Sequence, residues 1–374
     1  MLTCSSLFKS RSLVRQVLHA GVLRVSSRRW LSTLSQEGTK KRPVAVFLNA
    51  SRLDYDGKLD FSRLESICDL RRHNVDKVTD RQEMLDQVRG AEIVITKEMA
   101  VPKEIFLDFP DTIKLLCEAG TGYNNLPIKA ARERGVLVCN VPTYSTEAVA
   151  HMAVTYLMNF SVSMFDQQRM LQQGDRRNFT GPFTLPLMEL GGKTIGLIGG
   201  GGAIGGKVAD ICLALGMNII ISSRAGKLPP THRLANNDRV KVVKDLKPLL
   251  QESDFVSIHC PLNDETRGTF GLEQLKQMKP TAFLINTSRG AICREDELIQ
   301  GMKAGLIAGA GLDVTTTEPP SPDSELWDLP NVWLSPHTGW RRIETRQRLV
   351  DMTADSIEAY CKATTEDEMI NVVN

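Results

Sequence analysis

A strand that runs into four glycines and then into a helix constrains this chain more than any other feature. Thr194-Ile195-Gly196-Leu197-Ile198 is mostly apolar, Gly199 to Gly202 carry no side chains, and Ala203-Ile204-Gly205-Gly206 opens a helical pattern. Gly200, Gly202 and Gly205 satisfy G-x-G-x-x-G. That spacing lets the backbone turn tightly, approach a pyrophosphate closely and pack helix on strand, while the helix N-terminus offers unpaired N–H groups to phosphate. Gly200, Gly202, Ala203, Ile204 and Gly205 are therefore candidate dinucleotide contacts.

The flanking chain fits such a unit. Strands are predicted at Thr194–Ile198, Asn218–Ser222, Phe255–His259, Ala282–Asn286, Gly309–Val314 and Val332–Ser335, with helices at 204–215, 245–252, 272–277 and 294–304 between them. An earlier series has strands at Pro43–Leu48, Ala91–Thr96, Ile113–Cys117 and Leu137–Asn140, with helices at 61–73 and 127–135. Strands alternating with helices at this interval indicate parallel βαβ units. The expected fold is α/β, with two Rossmann-like doubly wound parallel sheets and a cleft between them. Residues 42–143 plus 341–374 would form the substrate domain, flavodoxin-like, and 144–340 the nucleotide domain. A helical pattern from Thr146 to Gln173, free of Gly and Pro, would connect them.

Three residues in the last third carry the chemistry. Arg289 follows the run 282–285, Glu318 follows Gly311-Leu312-Asp313-Val314, and His337 follows Leu334-Ser335-Pro336. Open α/β sheets place their ligands at such strand ends. A guanidinium binds a carboxylate through paired hydrogen bonds. An imidazolium can protonate a carbonyl oxygen as hydride reaches its carbon. A carboxylate favours the charged imidazole. Together these groups suffice to reduce an α-keto acid, with reduction fading as pH rises and the imidazolium is lost. Taken singly, each has a structural reading: a core histidine, a helix-capping arginine, a solvated glutamate. His259, ahead of Cys260-Pro261, reads as a core or cleft-lining residue. Lys97 reads equally as a substrate-carboxylate contact or a surface lysine.

The cofactor is chosen at the strand end about 20 residues past the glycines, where an acid would bind the ribose 2′-hydroxyl of NAD. This chain has Ser223 and Arg224 there, and no acid. A hydroxyl and a guanidinium suit a 2′-phosphate, so NADPH is expected as preferred, with NAD possible.

The 374 residues carry a formal charge of +2, which gives no reason to expect nucleic-acid binding, and no long apolar run suggests a membrane span. Met1 to Ser35 holds Lys9, Arg11, Arg15, Arg24, Arg28 and Arg29 and no acid, with abundant Ser and apolar residues at helical spacing. That is the composition of an organellar transit peptide, so residues 1–41 are expected to be an address and the destination mitochondrial. The eight cysteines contain no C-x-x-C pair and the histidines no H-E-x-x-H; free thiols and no metal site are expected.

The chain resembles the D-isomer-specific 2-hydroxyacid dehydrogenases over residues 43–365. The stretches that carry this are Gly120-Thr121-Gly122-Tyr123-Asn124-Asn125, the glycine loop, His259-Cys260-Pro261-Leu262, Asn286-Thr287-Ser288-Arg289-Gly290, Gly311-Leu312-Asp313-Val314 with Glu318-Pro319, and Ser335-Pro336-His337. Thr121 to Asn124 and Trp340 are most similar to the glycerate dehydrogenase/hydroxypyruvate (glyoxylate) reductase branch. The resemblance implies that Arg289 binds substrate, that His337 is the acid/base with Glu318 as partner, and that backbone N–H groups at Thr121 and Gly122 meet the substrate carboxylate. It implies that Asp313 holds the nicotinamide carboxamide, that Cys260, Pro261 and Thr287 line the cofactor cleft, and that Thr266 lies near a ribose. A homodimer and a small 2-keto or 2-hydroxy acid substrate are implied too. Two departures stand out: the glycine loop is one residue longer than the family pattern, and Ser223 replaces the usual acid. The formate-oxidising branch carries Gln where Glu318 stands. A different class, a dinucleotide-sensing corepressor, shares the fold and is disfavoured by the organellar N-terminus.

Overall fold

The structure, a computed structural model, describes residues 41–374. The transit-peptide reading falls outside the described residues. Arg42 to Asn374 forms one compact unit built on two parallel sheets.

The first sheet comprises β1 (Val44–Phe47), β2 (Asp69–Arg72), β3 (Ile93–Thr96), β4 (Leu115–Glu118) and β5 (Leu137–Cys139), in the order β2-β1-β3-β4-β5. That order is the flavodoxin-like one. Every residue of β3 and β4 is buried, as expected where helices cover both faces. The long C-terminal helix Ile343–Lys362 returns to this sheet. Leu349, Val350, Ala354 and Ile357 lie on one of its faces and join Phe47, Ile95 and Cys117 in a common core.

The second sheet comprises β6 (Thr194–Ile198), β7 (Asn218–Ser222), β8 (Val240–Val243), β9 (Phe255–Ile258), β10 (Phe283–Asn286), β11 (Gly309–Leu312) and β12 (Val332–Leu334). Its order is β12-β11-β10-β9-β6-β7-β8, all parallel. The order reverses between β6 and β9, the crevice where such sheets bind dinucleotides.

Two elements differ from expectation. The predicted helix over 61–73 ends at Ile67, and the chain turns extended at Cys68 to form the edge strand β2. Three of β2's four residues are charged and it is largely exposed; charge protects an open edge from unwanted pairing, and that erases the apolar signature of a strand. The single helix expected over 146–173 is two, Thr146–Val162 and Met164–Gln172, bent by 66°. Ser163 between them adopts φ +49°, and its hydroxyl donates to the carbonyl of Pro186 at 2.6 Å. The strand β8 and the helices Arg81–Gln87 and Lys103–Phe106 were not foreseen. Among the described residues no single helix is long and apolar enough to cross a membrane.

Candidate active site

The glycine loop leaves β6 into a space only glycine can occupy. Gly199 has φ +86°, and a Cβ there would stand 2.7 Å from the backbone nitrogen of Cys260. The turn glycine is thus one residue ahead of the G-x-G-x-x-G match, which accounts for the extra residue in the loop. A Cβ on Gly205 would stand 2.7 Å from the Cα of Gly200, so helix and strand are in direct backbone contact. Helix Ala203–Ala214 starts at Gly202 with no side-chain cap. The first N–H groups of a helix lack internal partners, so Ala203, Ile204 and Gly205 offer donors to an anion. Beyond, on β10's exit, Thr287 Oγ1 is buried with no hydrogen-bond partner among the described residues. A glycine cradle, an uncapped helix start and an orphaned hydroxyl fit a bound dinucleotide.

At the end of β7, Ser223 Oγ donates to the carbonyl of Lys227 at 3.2 Å, and Arg224 pairs with Glu265 at 2.9 Å. Both members of that pair are well exposed, so it contributes little and leaves the guanidinium free to exchange partners. Thr266 Oγ1 donates to the carbonyl of Pro261 at 2.6 Å. Cys260 is half-buried, and burial pushes its thiol pKa up. His259 has its ring Nε2 2.9 Å from Ser257 Oγ, and burial lowers its pKa to about 4; the imidazole is neutral at physiological pH.

Arg289, Glu318 and His337 meet at one cavity of ≈ 320 Å³. His337 Nδ1 lies 2.8 Å from Glu318 Oε2. Arg289 stands across from Gly122 of the first sheet's lobe: a Cβ on Gly122 would be 2.0 Å from Nη2. Its Nε donates to Asn124 Oδ1 at 3.3 Å and its Nη1 to the carbonyl of Ser288 at 2.9 Å. Thr121 Oγ1 donates to the carbonyls of Val141 and Pro142, tying the loop after β4 to the exit of β5.

Asp313 has structural partners that the sequence does not show. It is 1% exposed, and its carboxylate accepts from Ser335 Oγ at 2.5 Å, from the backbone N–H groups of Thr338 and Gly339 at 2.9 Å each, and from Thr338 Oγ1 at 3.5 Å. Three of these donors meet Oδ1 and one meets Oδ2, so the group braces the His337 loop and keeps an acceptor site on Oδ2. Tyr156, on the helix after the first lobe, completes the brace: its hydroxyl lies 2.7 Å from Ser335 Oγ and donates to the carbonyl of Leu312 at 3.1 Å.

Lys97 fits neither of its two readings. It is 1% exposed, with Nζ 3.8 Å above the Trp340 ring and 3.3 Å from Tyr144 Oη. Its ion-pair partner is Glu98, which sequence reasoning missed. Glu98 Oε1 is 2.9 Å from Lys97 Nζ and 3.5 Å from His337 Nε2, and Oε2 accepts from Arg52. Burial raises the Glu98 carboxyl pKa, but Lys97 above all, then His337 and Arg52, outweigh it and hold the group well below the usual carboxylate range. The one available signal was its place just past β3, a strand end like the others. Glu118, fully buried, takes a backbone N–H from Glu98 and side-chain donors from Thr96 and Asn125; burial nonetheless pushes its pKa up. Among the described residues no cluster could hold a metal ion.

Residues 154–339 match the family described as "D-isomer specific 2-hydroxyacid dehydrogenase, NAD binding domain". A hydroxypyruvate reductase of Blautia hydrogenotrophica is 33% identical over 322 residues, 85% of this chain and 96% of that protein. A glyoxylate reductase of Thermococcus litoralis is 36% identical over 300 residues, 79% of this chain and 88% of that one. Among solved structures, an NADPH-dependent glyoxylate/hydroxypyruvate reductase from Sinorhizobium meliloti, in complex with NADP and malonate, aligns with a TM-score of 0.73 at 26% identity, covering 89% of this chain and 97% of that one.

Proposed function

The chain belongs to the D-isomer-specific 2-hydroxyacid dehydrogenase family and is an NAD(P)-dependent oxidoreductase; from that premise we propose that it reduces a small 2-keto acid, of the hydroxypyruvate or glyoxylate kind, to the D-2-hydroxy acid. The observation that carries this reading is the single cavity at which Arg289 faces His337, itself paired with Glu318 at 2.8 Å.

Arg289 binds the substrate carboxylate through two parallel N–H donors, with the backbone at Thr121 and Gly122 closing from the other lobe. His337 turns Nδ1 to Glu318, which leaves Nε2 to face the keto oxygen. Glu318, 2.8 Å from Nδ1, fixes the orientation of the ring, and the proton on Nε2 passes to the oxygen as the carbonyl is reduced. The bound dinucleotide supplies the hydride. The glycine loop and the start of helix Ala203–Ala214 hold its phosphates. Ser223 and Arg224 favour a 2′-phosphate and hence NADPH. Residues 42–143 with 341–374 serve as the substrate domain and 144–340 as the nucleotide domain, and their approach excludes water and aligns the reactants.

The chain acts as a homodimer. The reading is supported by large apolar side chains exposed along 158–187: Met158, Val162, Met164, Phe179, Phe183 and Leu187. Exposed large apolar side chains of this kind are what an association surface covers. The basic, acid-free stretch 1–35 directs the chain to mitochondria. The test is oxidation of NADPH or NADH by purified protein with hydroxypyruvate, glyoxylate and pyruvate. Turnover of at least one is expected; none, with dinucleotide bound, would eliminate the proposal.

A further inference from the structure

The cavity beside His337 holds a carboxylate for which the reaction above has no use. Glu98 reaches it from the first lobe, two residues past the end of β3. Its surroundings fix it tightly. Oε2 accepts from Arg52 Nε and Nη2 at 3.2 and 3.0 Å, and Oε1 from Lys97 Nζ at 2.9 Å. Lys97 is itself locked between Trp340 and Tyr144. The backbone N–H of Glu98 donates to Glu118 Oε1 at 2.8 Å.

Glu98 and His337 share a second property. Both adopt left-handed backbone conformations, φ +54° and +51°, and they face each other across the cleft. A non-glycine residue persists in that region only when its surroundings over-determine it, and such residues gather at functional sites. Here the two meet with Oε1 3.5 Å from Nε2.

We propose that Glu98 is a specificity-determining residue whose Oε1 accepts a hydrogen bond from a hydroxyl on the carbon next to the keto group, so that the site selects 3-hydroxy-2-keto acids over those carrying hydrogen or methyl there. This rests on the reading of Arg289 and His337 as the keto-acid site. With the carboxylate at Arg289 and the keto oxygen at Nε2, the remaining substituent is the one at the keto carbon. Its hydroxyl lies one bond from that neighbour, and the first acceptor beyond Nε2 is Glu98 Oε1. The rest of the lining agrees. Arg52, Asp76 and Lys77 bring charge, and Leu262 is the one large apolar side chain among the lining residues. A methyl group could not supply the further donor that Glu98 Oε1 takes beside Lys97, and sites built to bind a hydroxyl reject analogues that lack it. Arg52 and Lys97, paired with Glu98, and Arg289 on the same cavity offset its charge toward an anionic substrate.

The experiment compares kcat/KM for hydroxypyruvate, pyruvate and glyoxylate in the wild type and in Glu98→Gln, which keeps the shape and removes the charge. The wild type should favour hydroxypyruvate over pyruvate by about tenfold or more, the worth of a hydrogen bond to a charged group. Glu98→Gln should cut that ratio severalfold. Equal wild-type values for hydroxypyruvate and pyruvate would overturn the assignment without any variant. So would a Glu98→Gln protein that loses activity on all three substrates in equal proportion, the mark of a merely structural residue. Wild-type protein inactive on all three would instead sink the keto-acid reading, and this inference with it.

Discussion

His337 is held on three sides. Glu318 pairs with Nδ1, Glu98 faces Nε2, and Asp313 grips the loop beneath. A general acid contributes roughly 10²–10⁴-fold. His337→Ala should therefore lower kcat by about that much while leaving the Kd for NADPH, read by nucleotide fluorescence, nearly unchanged; normal turnover would remove His337 from the mechanism. Arg289→Lys retains charge but loses the planar fork, so the expected damage is in KM for the keto acid rather than in dinucleotide affinity. Glu98 also makes a pH statement. Its carboxyl is depressed in the folded state, so its contribution to stability is complete above the usual carboxylate range and is lost as pH falls toward the depressed value. Tm should thus drop more steeply with acidification in wild type than in Glu98→Gln; parallel curves would contradict the ion cluster around Lys97.

At the scale of elements, the strand–glycine–helix unit is legible because its demands are steric and local. The three residues after β10, β11 and β12 are legible because each follows a short apolar strand. Glu98 and Asp313 show where such reading stops. Glu98 is bracketed by charged and ordinary residues in Thr96-Lys97-Glu98-Met99, and only the pairing of β3 between β1 and β4 brings it to the cleft. The direction in which Asp313 points depends on a loop that returns 22 residues later at Ser335. The bend at Ser163 and the charged edge strand β2 escaped for a related reason: both are set by tertiary partners, the carbonyl of Pro186 in one case and an open sheet edge in the other. Two predictions belong here. Gly199→Ala forces a left-handed alanine, a cost of roughly 1–2 kcal/mol, and drives its methyl into the Cys260 backbone; dinucleotide affinity should fall by about tenfold or more. Leu349→Ala empties a fully buried position in the helix Ile343–Lys362 and should lower stability by about 2–5 kcal/mol, measured by denaturant unfolding.

For the whole molecule, association and cofactor choice are the properties that sequence pattern reaches least directly. The apolar side chains along 158–187 lie away from both sheets' cores, and Phe179 is 76% exposed. Phe179→Glu should shift the protein from dimer to monomer in analytical ultracentrifugation; an unchanged mass would place the dimer contact elsewhere or exclude it. The proposed cofactor preference rests on Arg224, whose ion pair with Glu265 is exposed and readily exchanged. Arg224→Ala should reduce the NADPH-over-NADH preference in kcat/KM, and an unaltered ratio would assign the discrimination to another group.

The brace at Asp313 has a consequence for how this chemistry can vary. Because Ser335, Thr338 and Gly339 are anchored by one carboxylate and Nδ1 is met by another, the placing of the loop and the partner of the imidazole are set by separate parts. The partner on Nδ1 can be exchanged for a neutral amide without the ring losing its bearing. A change at position 318 therefore alters what meets Nδ1 while the loop that carries the ring keeps its anchors.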